Sequence, residues 1–219
     1  MAERPIFLPS QGGPGFVRTL SLRMVWNPGF ALVQKRKNIR ALHEAAATAG
    51  HSPLLEISTN SDQELGRQLS AFNLKVRSRQ FGEIALECAF QGGKVFERGG
   101  PYTDLYQAEP RDAKRDPRLQ ESGPLAGFVF EGRRFPLEPK TAFYDWLYIS
   151  AIFPQREPLV SLCQYAGFTD IEFNPARSIN CQARACALFV ALTRGQLLDE
   201  AMSSETAFVR LLSESGAAA

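Results

Sequence analysis

Large apolar and β-branched residues stand among polar ones over Pro5-Ile-Phe-Leu8 and again from Phe16 to Trp26, a pattern that predicts two extended segments. Gly12-Gly-Pro-Gly15 is the turn between them, and Asn27-Pro-Gly29 ends the second. From Ala31 to Ala49 the spacing becomes helical. Leu32, Val33, Ile39 and Leu42 sit among Gln34, Lys35, Arg36, Lys37 and Arg40, predicting an amphipathic helix with a basic face that Gly50 stops. Leu54 to Ile57 reads as a short strand. Ser61-Asp-Gln-Glu64 has the form of a capping box, so a short helix is expected to start there and to end before Asn73.

Phe81 to Arg98 reads as a helix whose apolar residues, Ile84, Leu86, Ala89, Phe90, Val95 and Phe96, cover nearly the whole circumference. At about 100° per residue Glu83, Glu87, Gln91 and Lys94 fall on one narrow polar stripe. A helix apolar nearly all round is buried, and buried polar groups must be paired or face a cavity. That stripe is the first candidate site.

Gly99-Gly-Pro101 ends the segment, and Pro110 and Pro117 limit Tyr102 to Gln120 to at most two short helices and a loop. Phe128 to Phe135 reads as a hairpin around Glu131-Gly132. Thr141 to Phe153 and Pro158 to Tyr165 read as helices, and Phe168 to Phe173 as a strand that Asn174-Pro175 stops. Ser178 is placed to cap a long apolar helix reaching Leu192, and Glu200 to Leu212 supplies the last helix. Helix signals predominate, so the expected fold is α+β, mainly α-helical, in one domain over residues 1–219. Residues 1–50 form an N-terminal strand and helix addition packed on it, and 214–219 a flexible tail.

The chain has 219 residues, enough to bury about 70% of its unfolded surface around one core. Its 25 Lys and Arg against 23 Asp and Glu leave a net charge of +2, so any nucleic-acid contact must come from a local patch. Two His residues, His43 and His51, lie far from acidic clusters, which argues against a Ser-His-Asp or Cys-His triad and against a His-rich metal site. Cys88, Cys163, Cys181 and Cys186 show no C-x-x-C spacing and read as reduced core thiols, hence a cytoplasmic location. Glu3, Arg4 and Pro5 stand where a signal peptide would be apolar, and the longest apolar run, Ala185 to Leu192, is too short to span a membrane. No membrane association is expected, and no metal or cofactor.

Several residues admit both an ordinary and a functional role. Asn73, closing Leu69-Ser-Ala-Phe-Asn73, is in a position where Asn ordinarily caps a helix. Asp170 and Glu172 alternate with Ile171 and Phe173, so both acids should point to one side of a strand. Lys35, Arg36, Lys37 and Arg40 form either a solvated face or a contact with phosphates. Trp26, Tyr144 and Trp146 are core residues unless a base-binding context makes them stacking platforms.

Leu86-Glu-Cys-Ala-Phe-Gln-Gly-Gly-Lys-Val-Phe96 resembles the E-x-x-F-Q-x-x-K signature of the NADAR (NAD- and ADP-ribose-associated), or YbiA-like, family, and Leu69-Ser-Ala-Phe-Asn73 resembles its upstream L-S-N-F segment. Trp26-Asn-Pro-Gly-Phe30, Gly99-Gly-Pro-Tyr102, Lys140-Thr-Ala-Phe-Tyr-Asp-Trp146 and Ser178-Ile-Asn-Cys-Gln-Ala183 are similar to the NADAR antitoxins that accompany DarT-type guanine-modifying toxins. The family's late E-x-x-x-D-x-x-W-G pattern is matched only by its acid, Glu172. Its W-G is absent, and Asn180 to Gln182 stand in that region.

The resemblance implies cleavage of an N-glycosidic bond: removal of ADP-ribose from guanine in single-stranded DNA, with ADP-ribose as product and a DarT-type toxin as functional partner. A YbiA-like N-glycosidase of ribosylamino-pyrimidine riboflavin intermediates and a non-catalytic ADP-ribose or nucleotide binding module that sequesters are the alternatives. Such a bond breaks through positive charge at the anomeric carbon, which Glu87 or Glu172 would stabilise. Lys94 would either hold ribose hydroxyls or pyrophosphate as a charge, or attack that carbon as an amine. Asn73, Gln91 and Asn180 would bind substrate through hydrogen bonds, and Phe72, Phe90 and Trp146 by stacking a purine. The basic run of Lys35, Arg36, Lys37 and Arg40 is the candidate contact with the DNA backbone.

Overall fold

The structure, a computed structural model, describes residues 1–11 and 14–214. β1 (Ala2–Pro9) and β2 (Val17–Met24) pair antiparallel as the opening alternation predicts. The turn expected at Gly12-Gly-Pro-Gly15 involves residues 12 and 13, which lie outside the described residues, as does the expected tail beyond 214. Because side chains alternate across a strand, Ile6 and Leu8 of β1 face one side and Phe7 the other. Ile6 and Leu8 pack on α1 (Leu32–Thr48) through its Ile39, Leu42 and Ala46, forming a small core with Met24, Leu54 and Ile171. Phe7 belongs to the main core on the opposite face.

After β3 (Leu54–Glu56), α2 (Glu64–Gln68) is shorter than the capping box predicts. Gln63, rather than Ser61, precedes its first turn. Ser61 is buried against Gly66, where a Cβ would lie 2.4 Å from the Ser61 hydroxyl, and that hydroxyl accepts a local hydrogen bond from the Gln63 amide.

The expected helix from Phe81 to Arg98 is corrected to strand, helix and strand. β4 (Lys75–Ser78) and β5 (Gly82–Ala85) form a hairpin, α3 (Leu86–Gly92) has seven residues, and β6 (Lys94–Phe96) follows. Val76 and Ile84 pair and are buried, while Glu83 faces solvent beside Lys75, so this stretch obeys a period of two. Glu83 therefore leaves the polar stripe, and Glu87 and Gln91 keep their helical spacing.

A 3₁₀ turn at Thr103–Gln107 leads to α4 (Pro110–Arg115) and α5 (Arg118–Glu121). β7 (Leu125–Phe130) and β8 (Arg133–Phe135) make the predicted hairpin, with Glu131 and Gly132 at φ +52° and +77°. α6 (Ala142–Ile152) is buried nearly all round. The helix expected from Pro158 is 3₁₀ to Gln164, and β9 (Gly167–Thr169) stops before the two acids. Asp170 and Glu172 consequently do not share a strand face: Asp170 is buried and Glu172 is exposed.

α7 (Gln182–Arg194) begins three residues later than Ser178 predicts, because Cys181 still has extended backbone. Ser204, also extended, splits the last helix into α8 (Leu198–Ser203) and α9 (Glu205–Glu214). Helix predominates in this α+β fold. The strands form sheets in the orders β2-β1-β9-β3, β4-β5 and β6-β7-β8, with β3 parallel to β9. α6 and α7 run through the main core, joined by a buried ion pair of Asp145 with Arg184.

Candidate functional site

α3 carries the site's first elements. Glu87, in its first turn, and Gln91 are one helical turn apart, and the Gln91 amide donates to Glu87 Oε1 at 2.8 Å. Lys94 begins β6 just beyond the helix. Its Nζ donates to Gln91 Oε1 at 2.6 Å and lies 4.9 Å from the centre of the Phe90 ring. One amide thus joins the carboxylate to the amine with both of its ends engaged.

The glycines between Gln91 and Lys94 make this turn possible. A Cβ at Gly93 would lie 2.7 Å from Phe143 Cζ, and its carbonyl accepts the Val129 amide at 2.7 Å, which ties the helix end to β7. Lys94 then pairs in register with Phe128, so its side chain returns toward α3. Burial lowers its proton affinity, opposed by Glu87 and aided by Lys114.

These groups line a cavity of about 480 Å³, a size suited to a small-molecule ligand. Phe72, Phe90 and Tyr144 supply aromatic wall; Tyr144 meets Phe90 edge-on at 5.4 Å. Opposite α3, the segment leading into α7 contributes Asn180, Cys181 and Gln182. Asn180 Oδ1 is buried and without a hydrogen-bond partner among the described residues, so a ligand donor would satisfy it. Burial holds the Cys181 thiol protonated, which makes it a wall atom and not a nucleophile.

Asp170 also lines the cavity, a residue that sequence reasoning placed on an ordinary strand edge. Its Oδ2 accepts from Gln182 Nε2 at 3.0 Å, and the Gln182 oxygen accepts the Ala71 amide at 2.7 Å. Gln182 therefore fastens the acid to the Leu69-Ser-Ala-Phe-Asn73 segment. Burial, with a contribution from Glu56, pushes the Asp170 carboxyl up to about 7. The sequence signal for it was its place at the C-terminal end of the buried run Gly167-Phe-Thr169.

Other expected residues lie elsewhere. Glu172 is ion-paired with Lys35 at 2.6 Å and accepts from Asn60, outside the cavity lining. Asn73 donates to the Arg67 carbonyl at 2.7 Å, the ordinary closing role, and with Trp146 it borders a separate cavity behind β4. In α1, Arg36 and Arg40 pair with Asp62 at 2.8 and 3.5 Å. By contrast Lys114, Lys140 and Arg177 ring the cavity mouth and have no ion-pair partner among the described residues. Sequence reading passed over these three because they are scattered singly among unrelated elements.

All four cysteines are free. Among the described residues no helix is long and apolar enough to cross a membrane, and no three His, Cys, Asp or Glu side chains gather into a metal-holding group.

An α+β fold encloses a cavity lined by an amine, two carboxyls and an aromatic wall. The model of the DarT1-associated NADAR antitoxins matches residues 2–219, and the chain belongs to that family. No curated protein matches it. Its role is accordingly that of an antitoxin associated with a DarT1 toxin.

Proposed function

We propose that this antitoxin is an N-glycosyl hydrolase that removes ADP-ribose from guanine bases in DNA. The observation that carries the reading is the Glu87–Gln91–Lys94 hydrogen-bonded chain, facing a cavity that also holds the protonatable Asp170. A module that merely sequestered ADP-ribose would gain nothing from an amine of lowered proton affinity beside a carboxyl of raised affinity.

The chemistry follows from those two shifts. Desolvation leaves Lys94 with a larger share of neutral amine, whose lone pair attacks the anomeric carbon of the ribose as the bond to guanine breaks. Asp170 donates its proton to the departing base. Glu87 faces the positive charge that develops on the sugar. One of the two protons on Lys94 Nζ passes to the sugar ring oxygen as the ring opens, leaving a protonated imine between Nζ and the former anomeric carbon. Water then adds to that carbon, Asp170, now ionised, takes one of its protons, and the other passes to Nζ as the carbon–nitrogen bond breaks, which restores the neutral amine and releases ADP-ribose. Asn180 and Gln91 bind sugar hydroxyls, and Phe90 holds the purine of the reacting nucleotide.

The test is incubation of the purified protein with single-stranded DNA carrying ADP-ribosylated guanine, with and without borohydride. Free ADP-ribose is expected without reductant, and with it a stable adduct on the peptide containing Lys94. Lys94→Arg should be inactive, since a guanidinium keeps the charge but does not attack. Tight binding without release of ADP-ribose would make the protein a sequestering module. Release without any adduct, together with an active arginine variant, would leave Lys94 a binding residue and assign the attack to water.

A further inference from the structure

The cavity mouth continues into a second groove of about 430 Å³ along α4. The two share Phe72, Glu87 and Lys114 and so form one connected surface. Arg111, Lys114 and Arg115 project from α4 into this groove, exposed and without ion-pair partners among the described residues. Glu109 is the added acid on that side, so the groove outside the cavity is net cationic. Phe72 stands where groove and cavity meet with 72% of its surface exposed, an aromatic ring that the core does not use.

We infer that the α4 groove is the track for the substrate strand: Arg111 and Arg115 take successive phosphates of a single-stranded polynucleotide while Phe72 stacks a base neighbouring the one delivered into the cavity. A strand needs spaced cations to follow its backbone and an aromatic face on which bases of any sequence can stack. The groove supplies both next to the proposed reacting groups. The basic run of α1 is the rival surface, and three of its four cations are held by Glu172 and Asp62. Forming phosphate contacts there would first break those pairs. A duplex fits the groove poorly, because its bases are stacked on one another and present no free face to Phe72. The inference rests on the hydrolase reading for its substrate, but the surface is testable without turnover.

The measurement is fluorescence anisotropy of an unmodified, labelled single-stranded DNA at several salt concentrations. The proteins are the wild type, Arg111→Ala/Arg115→Ala, Phe72→Ala and Lys35→Ala/Lys37→Ala. Removing two phosphate contacts from a single strand should reduce the slope of log affinity against log salt by about 1.4. Phe72→Ala should weaken binding about tenfold with the slope kept, because stacking releases no counterions. Lys35→Ala/Lys37→Ala should bind as the wild type does. An unchanged slope in the arginine variant, a lost slope in the α1 variant, or equally tight binding of a duplex to the wild type would each overturn the assignment. Release of ADP-ribose from modified DNA, measured separately, decides the hydrolase reading whichever way the binding falls.

Discussion

Glu87 and Asp170 are both carboxyls on one cavity, and their surroundings separate their tasks. Glu87→Gln keeps the shape and the hydrogen bond to Gln91 but removes the anion, so turnover should fall about a hundredfold or more with little change in melting temperature. Asp170→Asn removes a proton donor. With its carboxyl pushed up to about 7, the wild-type rate should decline as pH rises through that value, and the asparagine variant should be slower by about two orders of magnitude and lack the decline. Its stability should move the other way. A carboxyl raised in the folded protein keeps its full stabilising effect below its unfolded value and loses it as pH climbs to about 7. Asp170→Asn should therefore melt higher than wild type at pH 8 while working worse, which paired pH-rate and thermal curves would show. If both variants gave the same pH profile, the division of labour would be wrong.

The element most informative for the site, α3, was legible in its content and not in its extent. Glu87, Gln91 and Lys94 were visible because their spacing survives even though Lys94 sits on a strand. The flanking strands were not visible: Ile84, Val95 and Phe96 suit a buried helix as well as short strands, and only the pairing of Val76 with Ile84 and of Lys94 with Phe128 decides. The acids after β9 failed for a related reason. Whether Asp170 turns inward depends on Gln182, twelve residues later, accepting and donating across the gap. Gly93 tests how tightly α3 controls its lysine. Gly93→Ala would set a methyl 2.7 Å from Phe143 Cζ and 2.9 Å from the Ala89 carbonyl, and should cost about 1–3 kcal/mol in urea denaturation. Because relief requires the α3 to β6 turn to shift, Lys94 trapping should fall with it. Full stability with full trapping would mean that the close packing at Gly93 is unimportant.

At the scale of the whole molecule, the two cores meet across the four-stranded sheet, and a polar seam runs through the contact. His43 of α1 reaches Thr169 Oγ1 at 2.9 Å, and that hydroxyl donates to Glu56 Oε2 at 2.6 Å. With the hydroxyl proton given to Glu56, the matching arrangement has His43 donating from Nε2 to Thr169. Burial lowers His43 to about 4, with Asp62 opposing. A base depressed in the folded state contributes stability above its unfolded value, near 6.5, and loses it as pH falls toward 4. Melting temperatures measured between pH 7 and 4 should therefore fall more steeply for wild type than for His43→Gln, which retains a donor but cannot titrate. Parallel curves would show that His43 takes no part in acid unfolding. The overall α+β class was readable from the predominance of helix signals. Residues 1–50 were expected to pack on the rest, but that their hairpin would enter one sheet with β9 was not readable, because it depends on a pairing across the chain: Phe7 with Phe168.

That pairing has a consequence for how the antitoxin comes into being. β1 is made long before β9, which binds both it and β3 and is made only at residues 167–169. Asp170, Asn180 and Gln182 follow still later, opposite Phe72 and Glu87 on the same cavity. A chain ended before β9 thus holds an unclosed sheet and half a pocket. Whatever chemistry the cavity performs begins only once synthesis has passed Gln182, so a cell that interrupts translation before that point gains none of it from the unfinished chains.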